Sequence, residues 1–315
     1  MDPEIIYHVQ PGPYWDWKVA VDLFLGGAGA GAFLFSIALS ELWGRRYRRI
    51  PQTAAMLAPI LVGLGVLFLM IKLGRPTALI QTFLNFAPTS PLWWGGIFQT
   101  VFMAGAVWYA VRWRDTEPDE GRRRLGLALT PIALIVGAYH GLLLAVVTAR
   151  PLWNTGPTVI AALLAFGATG IAAVMLTHLV RMKLAGRLDD AEHVGSFLDD
   201  MRPVGNVLIA TLVLQLGTFF LWWLSLFFGS LQDRLALDAA NAAYGPMFWG
   251  IGIGIGLVLP LVLGSFVMWR PGPFNLRQQV LLIGLTSVTI LVGGFVFRLA
   301  VVLGGQVSPA IPTLF

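Results

Sequence analysis

The chain of 315 residues contains no cysteine and few charged residues. Without thiolates it cannot hold an iron–sulfur cluster, form a disulfide or attach haem through cysteine. Only 12% of its residues are charged, against roughly 25% in a typical soluble domain. Because 57% of the residues are hydrophobic and the mean hydropathy is +0.76, the composition excludes an ordinary soluble domain.

Histidine is also scarce, and its positions argue against a haem. The chain has four histidines, His8, His140, His178 and His193. A haem between two helices needs a pair of histidines at the same depth. In the expected helices, His140 and His178 differ in depth by about 20 Å at 1.5 Å per residue. We therefore expect no haem and no metal site.

Long hydrophobic runs are what the sequence does have. Runs of about twenty residues are long enough to cross roughly 30 Å of hydrocarbon, and they lack the alternation of barrel strands. We therefore predict an all-α, polytopic membrane protein that forms one integral membrane domain over residues 1–315. The eight predicted transmembrane helices are 18–43, 53–73, 91–113, 125–148, 157–182, 203–228, 246–269 and 279–303.

The basic residues predict the orientation. Fifteen of the twenty-one Lys and Arg residues follow the first, third, fifth and seventh runs. By the positive-inside rule these loops are cytoplasmic, so both termini are expected outside the cytoplasmic membrane. The pI of about 9.9 then reflects topology, and no nucleic-acid partner is expected.

The hydrophilic segments are short. Segments 114–124 and 183–202 mix acidic and basic residues and are expected to be solvated loops. Segment 229–245 is expected to form a short amphipathic helix on the outer surface, and it could equally serve as a docking ridge for a partner.

Several ionisable groups are expected inside the membrane, close to the outer face. Asp22, Tyr139, His140 and Arg298 each lie one to two turns from the outer end of a predicted helix. Such groups are costly in lipid and indicate a functional site, although Arg298 alone could extend its charge to the interface. Asp22 could also pair with Arg298 or Lys72.

The outer end is also rich in tryptophan and glycine. Eight of the twelve tryptophans fall there, and Gly26 lies one turn below Asp22 on the same helix face. A carboxylate, a phenol or imidazole, and apolar walls suit a quinone head-group. Asp22 could act as general base, with Tyr139 or His140 bonded to the other oxygen. Electrons would then pass to a subunit docked on the outer loops.

Four motifs carry a resemblance to a known family. They are Trp15-Asp16-Trp17 before a Gly-rich first helix, Leu73-Gly74-Arg75-Pro76, Pro88-Thr89-Ser90-Pro91-Leu92-Trp93-Trp94-Gly95, and Tyr139 followed by Arg150-Pro151-Leu152-Trp153-Asn154. Together they resemble the polysulphide reductase membrane subunit, or NrfD-like, family. The resemblance implies a menaquinone near the outer face, a ferredoxin-type iron–sulfur subunit docked there, and a molybdopterin catalytic subunit beyond it.

The resemblance also implies roles for individual residues. Tyr139 matches the tyrosine that contacts quinone in the family. Asp22 takes the place of a histidine, for which His140 is a possible replacement. Together with the motifs, it makes Trp17, Gly26, Arg75, Ser90, Trp93, Arg150, Asn154 and Arg298 candidate cofactor-binding residues.

Two other functions remain open from the sequence. A secondary transporter would use Asp22 and Arg298 for coupling, but it would need paired Gly/Pro breaks in both halves of the chain, and the sequence does not show this pairing. A purely structural anchor would need no buried Asp or Tyr. The direction of electron flow and the terminal substrate lie outside what this chain encodes.

Overall fold

The structure is a computed structural model that describes residues 15–42, 49–74, 81, 84–115, 117, 119–269 and 274–307. Within these residues it is all-helical and has no strand. The all-α prediction is therefore confirmed.

Nine α-helices, numbered here in chain order, make up the described part of the chain. They are α1 (Trp17–Ile37), α2 (Arg49–Leu73), α3 (Pro91–Arg112), α4 (Glu120–Ala145), α5 (Pro157–Leu184), α6 (Ala191–Phe227), α7 (Leu231–Gly245), α8 (Leu259–Trp269) and α9 (Leu276–Gly304). Short π-helical segments, Ala38–Leu42 and Pro246–Val258, extend α1 and precede α8, and a 3₁₀ turn covers Arg187–Asp189.

Seven helical segments in the described residues are long and apolar enough to cross a membrane. They coincide with seven of the eight predicted spans. The remaining span, α3, has 22 residues and is long enough to cross. This helix is not among the seven because its glutamine, tryptophan and tyrosine residues lower its mean hydropathy. The chain is a multi-pass membrane protein.

Two loop predictions have different outcomes. Residues 191–202, expected to be a solvated loop, form the first turns of the 37-residue helix α6, capped by the Asp190 side chain. That prediction was wrong, because Val194, Phe197 and Met201 bury one face of these turns. Segment 229–245 does form a helix, α7, which begins with a capping box between Ser230 and Asp233.

The helices run alternately between two ends of the bundle. We call the end with Trp15, residues 84–95, residues 146–156 and α7 the motif face. We call the opposite end, with residues 112–124, 183–191 and 274–277, the basic face. The first helix, α1, packs against α2, α4, α5 and α9. It is the most enclosed of the seven apolar spans, with 72% of the residues in its most apolar stretch buried. Most residues on α1 therefore lie between helices and not against lipid.

The motif face joins the two ends of the described chain. Gln306, just after α9, accepts a hydrogen bond from the Trp15 amide at 3.0 Å and donates one to the Trp15 carbonyl at 2.7 Å. The Trp15 ring stacks on Trp153 with 5.2 Å between centroids, and the Trp153 indole donates to the Val301 carbonyl at 2.7 Å. These contacts hold the ends of α1 and α9 and the loop after α4 together.

Candidate functional site

The Asp22 carboxyl is buried, and one of its oxygens has no hydrogen-bond partner among the described residues. Only 6% of the residue is exposed, and its Oδ1 atom forms no hydrogen bond. A Cβ atom at Gly65 of α2 would lie 3.0 Å from this oxygen, so a glycine there leaves room for the carboxyl. An isolated buried carboxylate is costly unless a ligand or a proton compensates for it. Asp22 can therefore be protonated or can bind a ligand through this oxygen.

The two cations considered for Asp22 lie elsewhere. Lys72 pairs with Asp16 at 3.3 Å, and Lys18 pairs with the same carboxylate at 3.1 Å. Burial opposes ionisation of Asp16, but the hydrogen bonds from Lys18 and Lys72 outweigh it and lower its pKa. Arg298 forms no ion pair with a described carboxylate. The ionised form of Asp22 therefore has no counter-ion among the described residues.

His140 of α4 presents a free acceptor to α1. Its Nδ1 lies 2.7 Å from the Val136 carbonyl, which can only accept, so Nδ1 carries the proton. Its Nε2 is then a lone-pair acceptor, and this atom is buried without a partner. A Cβ at Gly26 would lie 2.9 Å from Nε2, so the glycine allows the imidazole to reach the α1 backbone.

Tyr139 packs against the first turns of α3. Its ring occupies the space that a Cβ at Gly95 would fill, so the glycine that ends the Trp93-Trp94-Gly95 motif makes room for the phenol. The next residue, His140, faces Gly26, which lies one turn from Asp22 on α1. The motif and the tyrosine, which are far apart in sequence, thus form one structural unit beside Asp22.

Gln99 is a member of this cluster that the sequence did not assign to it. It lies one turn below Gly95 on α3, is 8% exposed, and has an Nε2 donor without a partner. That nitrogen would lie 3.9 Å from a Cβ at Gly26, so Gln99 and His140 face the same small patch of α1. The i, i+4 spacing of Gly95 and Gln99 was the available signal.

Arg298 lies on the other side of His140. Its guanidinium packs against the rings of Phe166 and Phe24, at 4.9 and 5.3 Å from the centroids, and donates to the Gly294 carbonyl at 3.2 Å. Its second terminal nitrogen has no partner. It borders a cavity of about 60 Å³ shared with His140 and Trp222, room for about two waters at ~30 Å³ each.

The remaining predicted site residues lie above this cluster, at the motif face. Trp17 is half exposed and packs edge-on against Phe68. Ser90 occupies the N-cap position of α3 without a side-chain capping bond, and the indole nitrogen of the partly buried Trp93 has no partner among the described residues. Arg75 lies outside the described residues.

Arg150 and Asn154 tie the loop after α4 to neighbouring backbone. Arg150 donates to the Gln306 carbonyl at 3.3 Å, and Asn154 donates to the Ala145 carbonyl at the end of α4. Both contacts stabilise the loop. Neither side chain has a described contact with Asp22. Their assignment to a cofactor stays a prediction.

Asp22, Tyr139 and Arg298 lie five or six residues from the motif-face ends of their helices. At 1.5 Å per residue this is about 8–9 Å below those ends. The cluster offers a carboxyl, a phenol, an amide donor and an imidazole acceptor at a similar depth. Such a set can bond two oxygens of a flat ligand and accept a proton. The described residues contain no group of three His, Asp or Glu side chains that could hold a metal.

The geometry defines a class of protein: a polytopic helical membrane protein with a buried, unpartnered polar cluster below one face. Comparison with known proteins makes the class more specific. The family model described as "Polysulphide reductase, NrfD" matches residues 7–310. The chain belongs to this family, as its motifs suggested.

Three relatives align with nearly all of the chain. It is 27% identical to a protein NrfD homolog of Haemophilus influenzae, covering 98% of this chain and 99% of the relative. It is 26% identical to one of the chains of the polysulfide reductase of Wolinella succinogenes, over 93% of this protein and 94% of the relative. It is 21% identical to one of the subunits of the selenate reductase of Mesobacillus selenatarsenatis, over 94% of this protein and 74% of the relative.

Proposed function

We propose that this protein is the quinone-binding membrane subunit of a multi-subunit respiratory oxidoreductase. It exchanges electrons between menaquinone or menaquinol and an iron–sulfur subunit docked on the motif face. The observation that carries the proposal is the buried Asp22 carboxyl, whose Oδ1 has no partner among the described residues and which lies one turn from Gly26, where His140 and Gln99 face α1.

The residues present fit a quinone head-group. Its two oxygens each need a hydrogen-bond donor or a proton acceptor, and the cluster has unpartnered atoms of both kinds in Asp22, Gln99 and His140. A bound quinol supplies two electrons and two protons. These atoms would lose the cost of being buried unpaired once the head-group bonded to them.

Each side chain then has a distinct task. The Asp22 carboxylate accepts a proton as general base, since no described cation holds it in an ion pair. The Tyr139 hydroxyl donates a hydrogen bond that orients the ring. The Nε2 atom of His140 is an acceptor in its present tautomer and can receive a second proton.

Electrons need a path out of this protein, which has no cysteine. The names of two relatives assign one to a polysulfide reductase and the other to a selenate reductase, so each of those proteins is part of a reductase. By analogy, a ferredoxin-type iron–sulfur subunit docks on the motif face and a molybdopterin subunit completes the complex. The shallow depth of Asp22 below that face favours docking there.

The positive-inside distribution supports a cytoplasmic-membrane location with the motif face outside. Segments 112–124 and 181–187 hold seven of the eighteen arginines, and both segments lie at the basic face. This orientation places the iron–sulfur subunit outside as well.

Equilibrium binding of a short-chain naphthoquinone to the purified full-length protein tests the proposal. Tyr139→Phe removes one hydrogen bond and should weaken binding about fivefold, since such a bond contributes about 1 kcal/mol. Tyr109→Phe is the matched control, because Tyr109 is buried at the other end of α3, beside Ser36. Absence of binding to the parent protein, or equal binding by both variants, would refute the site.

A further inference from the structure

A second cavity opens at the basic face, away from the polar cluster. It measures about 540 Å³ and is lined by Arg49, Gln52, His178, Arg181, Met182, Ala185 and Arg187. Sites for small ligands generally measure about 300–1,000 Å³. This cavity is large enough for a head-group and is polar enough to hold one.

Among the described residues, the lining carries three positive charges and no negative one. Arg49 begins α2, Arg181 lies in the last turn of α5, and Arg187 begins the 3₁₀ turn that follows. None of the three forms an ion pair with a described carboxylate, although other arginines of this face, such as Arg112 and Arg123, do. Like charges gathered without counter-ions repel one another, so the cavity favours an anion.

One hydroxyl fixes the position of the central arginine. Thr53 donates to the Arg49 carbonyl at 2.9 Å and accepts from the Arg181 guanidinium at 2.7 Å. Because the hydroxyl has a single proton, His178 Nδ1, at 3.3 Å, must be the donor in its contact with Thr53. Arg181 is thereby tied to α2 with four of its five N–H groups still available.

Guanidinium groups bind phosphate oxygens through paired, charge-assisted hydrogen bonds. We propose that this cavity binds a phosphate-bearing anion, and that an anionic phospholipid head-group at the membrane surface is its source. Basic pockets between transmembrane helices suit such head-groups, because the acyl chains remain in the bilayer beside them. This cavity is separate from the polar cluster around Asp22, which lies near the opposite ends of α1 and α2.

The test uses the full-length protein, purified in mild detergent and stripped of lipid. Native mass spectrometry would measure binding of phosphatidylglycerol, phosphatidylcholine and inorganic phosphate. The double variant Arg49→Gln/Arg187→Gln removes two charges without touching the Thr53 contacts. Arg114→Gln is the matched control, because Arg114 is an exposed arginine of the same face that does not line the cavity.

We expect phosphatidylglycerol to bind the parent protein in preference to phosphatidylcholine. The double variant should bind it about 25-fold more weakly, at about fivefold per arginine, and Arg114→Gln should match the parent. Arg187→Lys, which keeps the charge but loses paired bonding, should fall between them. If inorganic phosphate binds as tightly as phosphatidylglycerol, the lipid source is refuted and the ligand is a free anion.

Two results would overturn the proposal as a whole. One is binding of phosphatidylglycerol and phosphate no tighter than that of phosphatidylcholine. The other is equal binding by the double variant and the Arg114→Gln control, with all proteins showing the same thermal midpoint.

Discussion

Replacement of Asp22 by asparagine is the sharpest perturbation of the proposed site. Asparagine has nearly the same shape as aspartate but cannot act as a base. Asp22 Oδ1 has no hydrogen bond to lose, and Gly65 leaves room for either side chain. The change therefore removes the chemistry while keeping the packing of α1 against α2.

The expected loss is large in rate and small in stability. Removal of a positioned general base typically costs about 10²- to 10⁴-fold in rate. The stability of the protein should change by less than about 1 kcal/mol, because no packing contact or described ion pair is broken. A rate loss of this size without a shift in thermal midpoint would assign the role of Asp22 to chemistry.

The assay is quinol oxidation by the intact complex with an artificial electron acceptor. Asp16→Asn provides the matched control on the same helix. Asparagine is as good an N-cap as aspartate, so the control removes only the Asp16 ion pairs with Lys18 and Lys72. Such partly exposed pairs contribute about 0–1 kcal/mol, and the rate should stay at the parental value.

Our assignment would fail if the Asp22→Asn complex assembled and oxidised quinol at the parental rate. It would also fail if Asp16→Asn slowed the reaction as much as Asp22→Asn. In that case the motif face as a whole, and not the buried carboxyl, would govern turnover.

Other predictions follow from the packing. Gly65→Ala should slow quinol oxidation because its Cβ would meet the Asp22 carboxyl at 3.0 Å, whereas Gly63→Ala meets a methionine methyl at 3.6 Å and should not. Trp153→Phe should lower the free energy of unfolding by about 1 kcal/mol, and the thermal midpoint with it, because the indole hydrogen bond to the α9 backbone is lost. Because the protein has no cysteine, an impermeant thiol reagent added to intact cells should label Asp238→Cys and leave Arg114→Cys unlabelled; the reverse pattern would invert the orientation.

Most of the fold could be predicted because run length in a membrane protein is a direct physical requirement. Each apolar run of the required length became a helix. The start of α6 was missed because its many charges hide an amphipathic pattern. Val194, Phe197, Leu198 and Met201 recur at i, i+3, i+4 and i+7, the spacing of one buried helix face.

The candidate site was predictable only in part. Asp22, Tyr139 and His140 stand out because each is a polar group at a defined depth in an apolar run, and depth can be counted from a sequence. Gln99 and Gly65 cannot be assigned in this way, since their roles depend on which helix faces which. The role of each predicted residue in binding a cofactor stays a prediction.

The contacts of Trp15 with Trp153 and Gln306 join segments that are synthesised at different times. A ribosome delivers the helices to the bilayer in order, so α1 and α4 are inserted well before α9 exists. Until the final span emerges, the first helix lacks one of its walls, and Arg298 is absent from beside His140. Until then, the Asp22 carboxyl lies in an incompletely packed bundle. The motif face is therefore closed only after the last span has been synthesised.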